Sequence, residues 1–412
     1  MAFDVAAIQA DFPMLARKVN DKRIVYLDSA ATSQKPNAVI DAMDNYYRNA
    51  YASVNRGAYQ IAAEADALVA NARKAVARFI GAPKTHEIIF TKNATEAMNL
   101  FAYSWGRANL NEGDVVVITE MEHHANIVPW QMLRDERNIE IRWIPITETG
   151  ELDLSTLDVL LDGAKLVSVT AMSNVLGTLN PIRRIADAAH AAGAVMMADG
   201  SQYVPHLPTD VGELGVDAMI FTGHKMLGPT GIGVLWGKTE LLEAMPPFLG
   251  GGDMIMQVTK EGFTTNDLPH KFEAGTPNIA EIIGLGAAVV YLENIGMEAV
   301  REHEVSLTAY ALRTLNERFG DDITVHGPAE PAGRGGVLSI EYKNVHPHDL
   351  SQILDQNNVY VRAGHHCAKP LMQTMGVNST ARASVHIYND EADIDMLADS
   401  LESADDIFGF DL

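Results

Sequence analysis

The sequence predicts an α/β fold: a mainly parallel central sheet covered by helices, with a smaller α+β unit behind it. Three observations predict it. Short, near-continuous apolar runs alternate with helical patterns as far as about residue 290, as expected of strands buried on both faces. Beyond that point the pattern changes to a long polar helix, a Gly/Pro-rich stretch and shorter alternating elements. The length is 412 residues, with 47% hydrophobic and 21% charged, which suits two or three cores and needs no disulfide or structural metal.

The first clear helix covers Ala62–Ile80. Ala65, Leu68, Val69, Ala72, Val76, Phe79 and Ile80 recur at helical spacing, and Gly81 with Pro83 stops it. A short strand follows at Glu87–Thr91, and Asn93-Ala-Thr-Glu opens a helix running through Met98, Leu100, Phe101 and Trp105. Buried strands are expected at Val115–Thr119, Ile141–Ile144, Leu166–Thr170, Val195–Ala198, Met219–Thr222 and Ile232–Trp236. The helix Pro181–Ala192 starts on proline and stops at Gly193, the usual asymmetry of helix ends. Gly284-Leu-Gly286 begins like a dinucleotide loop, but it lacks the third glycine and sits inside a helical pattern. The long polar helix covers Gly296–Phe319, and the Gly/Pro-rich stretch runs from His326 to Gly336.

Composition excludes several classes. A single cysteine permits no intramolecular disulfide, so a reducing, cytoplasmic setting is expected. The start of the chain has no basic region followed by an apolar core, and is not expected to be a secretory signal. The longest apolar runs are strand-sized, short of the ~20 residues that span a bilayer. With 54 acidic and 31 basic residues the net charge is −23, which repels nucleic-acid backbones. There is no Walker loop, no Gly-x-Ser-x-Gly and no His-Glu-x-x-His.

Chemistry is instead suggested at strand ends. Asp199 and Gln202 follow Val195–Ala198, Thr222-Gly-His-Lys225 follows Met219–Phe221, His123-His124 follows Val115–Thr119, and Thr95 heads a helix. Singly these read as an Asp-Gly turn, a polar loop, a capping histidine and an ordinary helix start. Together they leave one edge of the sheet, where ligands of open α/β sheets lie. They supply a lysine able to form a Schiff base, a carboxylate, an aromatic histidine and a helix N-terminus suited to phosphate. That set matches the needs of pyridoxal phosphate, whose ring a carboxylate keeps protonated as an electron sink. No Cys/His set has metal-ligand spacing, so no metal is expected.

Longer blocks carry a resemblance. Leu27-Asp-Ser-Ala-Ala-Thr-Ser-Gln-Lys-Pro36, Asn55-Arg-Gly57, Met121 to Gln131, Ser173 to Thr178, Thr222 to Gly233, Phe272 to Asn278 and Arg362-Ala-Gly-His-His-Cys-Ala-Lys-Pro-Leu371 resemble the group II cysteine desulfurases of the SUF iron–sulfur system. The likeness is collinear over nearly the whole chain. It implies the fold-type I pyridoxal-phosphate architecture and a homodimer, with a large cofactor domain at 21–290 and a small domain of 1–20 and 291–412 carrying the cysteine loop. By resemblance Lys225 carries the cofactor, Asp199 pairs with the ring nitrogen, Gln202 meets the ring hydroxyl and His123 stacks on the ring. Thr95, Thr222 and His224 are implied at the phosphate, with Thr276 reaching it from the other subunit. Arg382 is implied at the substrate carboxylate, with Asn174 beside it and Arg362 near the entrance. One departure stands out: the family commonly has histidine before Arg56, and this chain has Asn55.

A lone cysteine is commonly an inert small hydrophobe, and His-His-Cys also invites a zinc reading. Cys367, however, is flanked by His365, His366 and Lys369 in a Gly/Pro-containing segment, and cations beside a thiol favour the nucleophilic thiolate. Cys367 is therefore the expected nucleophile, with Lys225 removing the α-proton of L-cysteine and His123 shuttling protons. The products are alanine and an enzyme persulfide destined for an acceptor protein. The alternatives are a selenocysteine lyase, a kynureninase-like hydrolase, or a non-catalytic assembly partner, which would be expected to have lost the lysine or the cysteine. Val345-His-Pro-His-Asp349 resembles a segment of Gram-positive members that pass sulfur to a zinc-binding SufU-type partner. His346 and His348 are expected either to exchange onto that zinc or merely to cap the helix beginning near Asp349, leaving a SufE-type acceptor.

Overall fold

The computed structural model describes residues 3–408. A seven-stranded sheet is built from β1 (Ile88–Thr91), β2 (Val115–Thr119), β3 (Glu140–Ile144), β4 (Ala164–Thr170), β5 (Val195–Asp199), β6 (Ala218–Thr222) and β7 (Gly233–Gly237), in the order β1-β7-β6-β5-β4-β2-β3. The pairs β2–β3, β2–β4, β4–β5 and β5–β6 are parallel, and β7 is antiparallel to both of its neighbours. The reversal has a local cause. Only residues 223–232 join β6 to β7, too short for the crossover that parallel pairing requires. All six other strands therefore end on one edge, and the loop carrying Lys225 turns back across it.

Helices α1 (Gln60–Phe79), α2 (Ala94–Phe101) and α3 (Ile182–Ala191) lie close to their expected bounds. After α2 the winding widens into a π turn at Ala102–Gly106. The Gly284-Leu-Gly286 segment lies within α4 (Ile279–Ile295). A Cβ at Gly286 would sit 2.7 Å from the Cβ of Ala72 on α1, so this glycine permits helix–helix contact and not cofactor binding. The strands β1, β2 and β6 are buried along their length, and separate cores cover the two faces of the sheet: Val117, Val169 and Phe221 lie in one, Val116, Leu166 and Ile220 in the other.

After α5 (Met297–Phe319) comes a second sheet, β8 (Ile323–His326), β9 (Val337–Tyr342), β10 (Arg362–Gly364) and β11 (Thr380–Ser384), in the order β8-β9-β11-β10 and antiparallel throughout. Helices α6 (Pro347–Gln356) and α7 (Glu391–Phe408) share a core with it through Leu350, Leu354, Ile394 and Leu397. At the start of the chain, packing departs from the expected segmentation. Ile8 and Phe12 join the core of the large sheet, while Val25 and Leu27 join the second core, and Val25–Tyr26 pairs with Val359–Tyr360. The outermost residues of the expected small domain, 1–2 and 409–412, lie outside the described ones. Among the described residues no single helix is long and apolar enough to cross a membrane.

Candidate active site

The strand ends and the second sheet enclose a cavity of about 250 Å³. Thr95, His123, Asn174, Asp199, Gln202, Thr222, His224, Lys225, Arg362, Cys367 and Arg382 all line it, joining residues far apart in the chain. Thr276 does not. It lines a separate cavity with Phe248, Phe272 and Asn278. Arg56 pairs with Asp253 at 3.3 Å away from the cavity, and Asn55 has φ +75°, a left-handed conformation that asparagine tolerates.

One end of the cavity is built for an anion. Asn93 caps α2 by accepting the Glu96 N–H at 2.8 Å, so the first turn faces the space lined by Asn93, Ala94 and Thr95. Position 233 on the neighbouring strand must be glycine, because a Cβ there would meet the backbone of Asn93 at 2.3 Å. His224 also faces this end, and burial with the nearby Lys225 and Lys35 charges pushes its pKa down to about 4. It is a neutral hydrogen-bonding group at physiological pH.

At the centre, Lys225 is surrounded by protein and opens only on the cavity. Burial, reinforced by Arg382 and opposed by Asp199 and Cys367, pushes its pKa down to about 8. Its Nζ has no hydrogen-bond partner among the described residues. The loop holding it is clamped: the His224 carbonyl accepts from Ser33 N at 2.9 Å and from Thr32 Oγ1, Ser33 Oγ and Lys35 Nζ, each at 3.1 Å. Asp199 receives the Ser201 N–H on Oδ1 at 2.9 Å. Gln202 donates to the Ala30 carbonyl at 2.7 Å and leaves its buried Oε1 without a partner. His123 accepts the Ala125 N–H on Nδ1 at 3.1 Å, which makes Nε2 its donor side. Burial, then the charge of Lys225, pushes its pKa down to about 3 and holds it neutral. Beneath this floor Glu122 accepts from Thr119 Oγ1, Thr170 N and Asn126 Nδ2, and burial raises its pKa to about 8.

At the mouth, Arg382 is only 2% exposed. It donates to the Asn174 carbonyl at 2.8 Å, and its Nε is unpartnered. Cys367 is exposed. The electrostatic surroundings differ from those expected of the flanking residues. His366 is turned inward onto Thr380 and held neutral near about 3, chiefly by burial. Lys225, Arg362 and Arg382, distant in the chain, also interact electrostatically with Cys367. Nothing in the sequence alone marks Asp28, Ser33, Lys35 or Glu122, although all four lie inside the blocks that carry the resemblance.

An unpartnered buried Gln202 oxygen, an open carboxylate, a lysine of lowered pKa and a helix N-terminus converge on one cavity. These residues fit a planar pyridine bearing an aldehyde and a phosphate. The fold and this site define the class: the chain belongs to the aminotransferase class-V family, whose model matches residues 25–397. Enzymes of this family depend on pyridoxal phosphate. Among its relatives is a probable cysteine desulfurase of Streptomyces coelicolor, 48% identical over 98% of both chains. Solved structures that share the fold include two cysteine desulfurases. A cysteine desulfurase from Thermococcus onnurineus NA1 has a TM-score of 0.93 at 36% identity, covering 98% of this chain and 99% of that one. The cysteine desulfurase CsdA of Escherichia coli, in an S-sulfonic acid form, has a TM-score of 0.90 at 36% identity, covering 99% and 100%.

Proposed function

We propose that this chain is a cysteine desulfurase that takes sulfur from L-cysteine, releases L-alanine and keeps the sulfur as a persulfide on Cys367. One observation carries the reading: the exposed Cys367 opens on the same cavity as the enclosed Lys225 and the buried Arg382. Arg382 holds the substrate carboxylate through charge-assisted hydrogen bonds. Pyridoxal phosphate, when bound, supplies the electron sink that acidifies the α-carbon. The Lys225 amine, part neutral near pH 8, takes the α-proton. Cys367 Sγ attacks the substrate sulfur, so an S–S bond forms while the Cβ–S bond breaks with its electron pair passing to carbon. One proton then completes the methyl group at Cβ and another returns to Cα, giving alanine, with Lys225 and His123 on hand to carry them.

Further features of this reading are a role in SUF-type iron–sulfur assembly in the cytoplasm and a homodimer in which the partner's loop brings Thr276 to the phosphate. Exposed His346 and His348, whose rings stack 5.4 Å apart, favour a SufU-type acceptor over a SufE-type one. The test is a single-turnover incubation of purified holoenzyme with L-cysteine. Alanine and Cys367 persulfide should appear in equal amounts; alanine without persulfide, or neither, defeats the proposal.

A further inference from the structure

The end of the cavity that suits a phosphate has hydrogen-bond donors but no cationic side chain on its wall. The lining residues that carry positive charge are Lys225, Arg362 and Arg382, one at the centre and two at the mouth. His123, His224 and His366 line the cavity as neutral rings. Lys92, beside the start of α2, is turned to solvent and pairs with Glu96 at 3.5 Å. A phosphate monoester carries close to two negative charges at pH 7. The first turn of a helix supplies only about half a positive charge.

One layer behind this end stands Lys35. Its Nζ donates to the carbonyl of His224 at 3.1 Å and to the carbonyl of Ser33. It pairs with no carboxylate among the described residues, and burial alone pushes its pKa down to about 8. The imidazole of His224, which faces the cavity, feels its charge. A half-buried ammonium held only by carbonyls is costly unless an anion comes to balance it. We propose that Lys35 is a charge-balancing residue for the cofactor phosphate, acting through space from behind His224 as the cation that the cavity wall lacks. This goes beyond the desulfurase reading, because it concerns capture of the cofactor alone, and it rests on the phosphate lying at the His224 end.

The test uses full-length protein freed of cofactor, as wild type, Lys35→Met and Lys35→Arg. Each is titrated at pH 7 with pyridoxal phosphate and with pyridoxal, which lacks the phosphate. Lys35→Met should weaken the Kd for pyridoxal phosphate by about tenfold and leave that for pyridoxal within about twofold. Lys35→Arg keeps the charge and should stay near wild type with both. Lys35→Gln is the second neutral variant if Lys35→Met does not fold, with the same result expected. Equal weakening of both ligands would reduce Lys35 to a prop for the main chain before Lys225 and overturns the proposal, as does an unchanged Kd for pyridoxal phosphate. Thr95→Val tells the two premises apart. If it weakens pyridoxal phosphate while Lys35→Met does not, the phosphate lies at this end and Lys35 alone is misassigned; if neither does, the placing of the phosphate falls as well.

Discussion

The main-chain N–H of His124 donates to the carbonyl of Cys367 at 2.7 Å, tying the turn after β2 to the loop of the second unit that carries the thiol. Lys369 N donates back to His124 Nε2 at 3.0 Å, and Asn174 Nδ2 donates to the His366 carbonyl at 2.7 Å. These ties hold His366 and Cys367 in the left-handed region, at φ +50° and +56°. Non-glycine residues adopt that conformation at a cost of roughly 1–2 kcal/mol. The thiol is presented by a rigid, strained loop.

That strain separates two substitutions. Cys367→Ala should keep cofactor and wild-type stability while releasing no sulfur from L-cysteine. Cys367→Gly should be equally inactive yet more stable than Cys367→Ala by up to about 1 kcal/mol, since glycine removes the Cβ clash. Urea unfolding of both variants checks it, and equal midpoints would show that the loop stores no strain.

The depressed pKa of Lys225 sets a pH dependence for cofactor capture by cofactor-free protein. Only the neutral amine attacks an aldehyde, and its fraction rises as pH climbs through about 8. The rate of capture, followed by the growth of visible absorbance, should rise from pH 6 to about 8 and flatten above it. An ordinary lysine would still be gaining near pH 10. Lys225→Ala should show no such band at any pH while keeping its circular dichroism.

Asp199 lines the cavity, and in the proposed function it keeps the ring nitrogen protonated. Asp199→Ala should lower turnover by about two or more orders of magnitude with cofactor saturated, because an unprotonated pyridine is a poor electron sink. Asp199→Glu should recover part of the loss. Equal turnover in Asp199→Ala and wild type would reduce the residue to a turn former.

His346 also caps α6, its Nδ1 accepting the His348 N–H at 3.3 Å. Capping and partner recognition can be separated with His346→Asn plus His348→Ala, since asparagine is a good cap. The reductant-driven reaction should be unchanged in this double variant, and stimulation by a zinc-binding SufU-type acceptor should disappear. Alanine release with and without the acceptor decides it; full stimulation would leave the histidines as helix caps.

The sequence by itself determined the sheet, its helices and most residues of the cavity. Strands such as Val115–Thr119 are buried throughout because both faces are covered, and Asp199 ends such a strand while Lys225 and His123 sit one short turn beyond one. Periodicity and strand ends are local properties, so they can be read without knowing what lies opposite. Tertiary structure alone decided the electrostatics. His366, adjacent to Cys367 in the chain, is turned inward and neutral, while Lys225, Arg362 and Arg382, distant in the chain, interact electrostatically with the thiol. The contacts of Asp28 and of Ser33 are equally hidden, because each is made to a partner brought up by the fold: Arg362 lies 334 positions from Asp28, and His224 lies 191 from Ser33. Burial and through-space charge fall off over ångströms in the folded chain, and separation along the sequence carries no record of those distances.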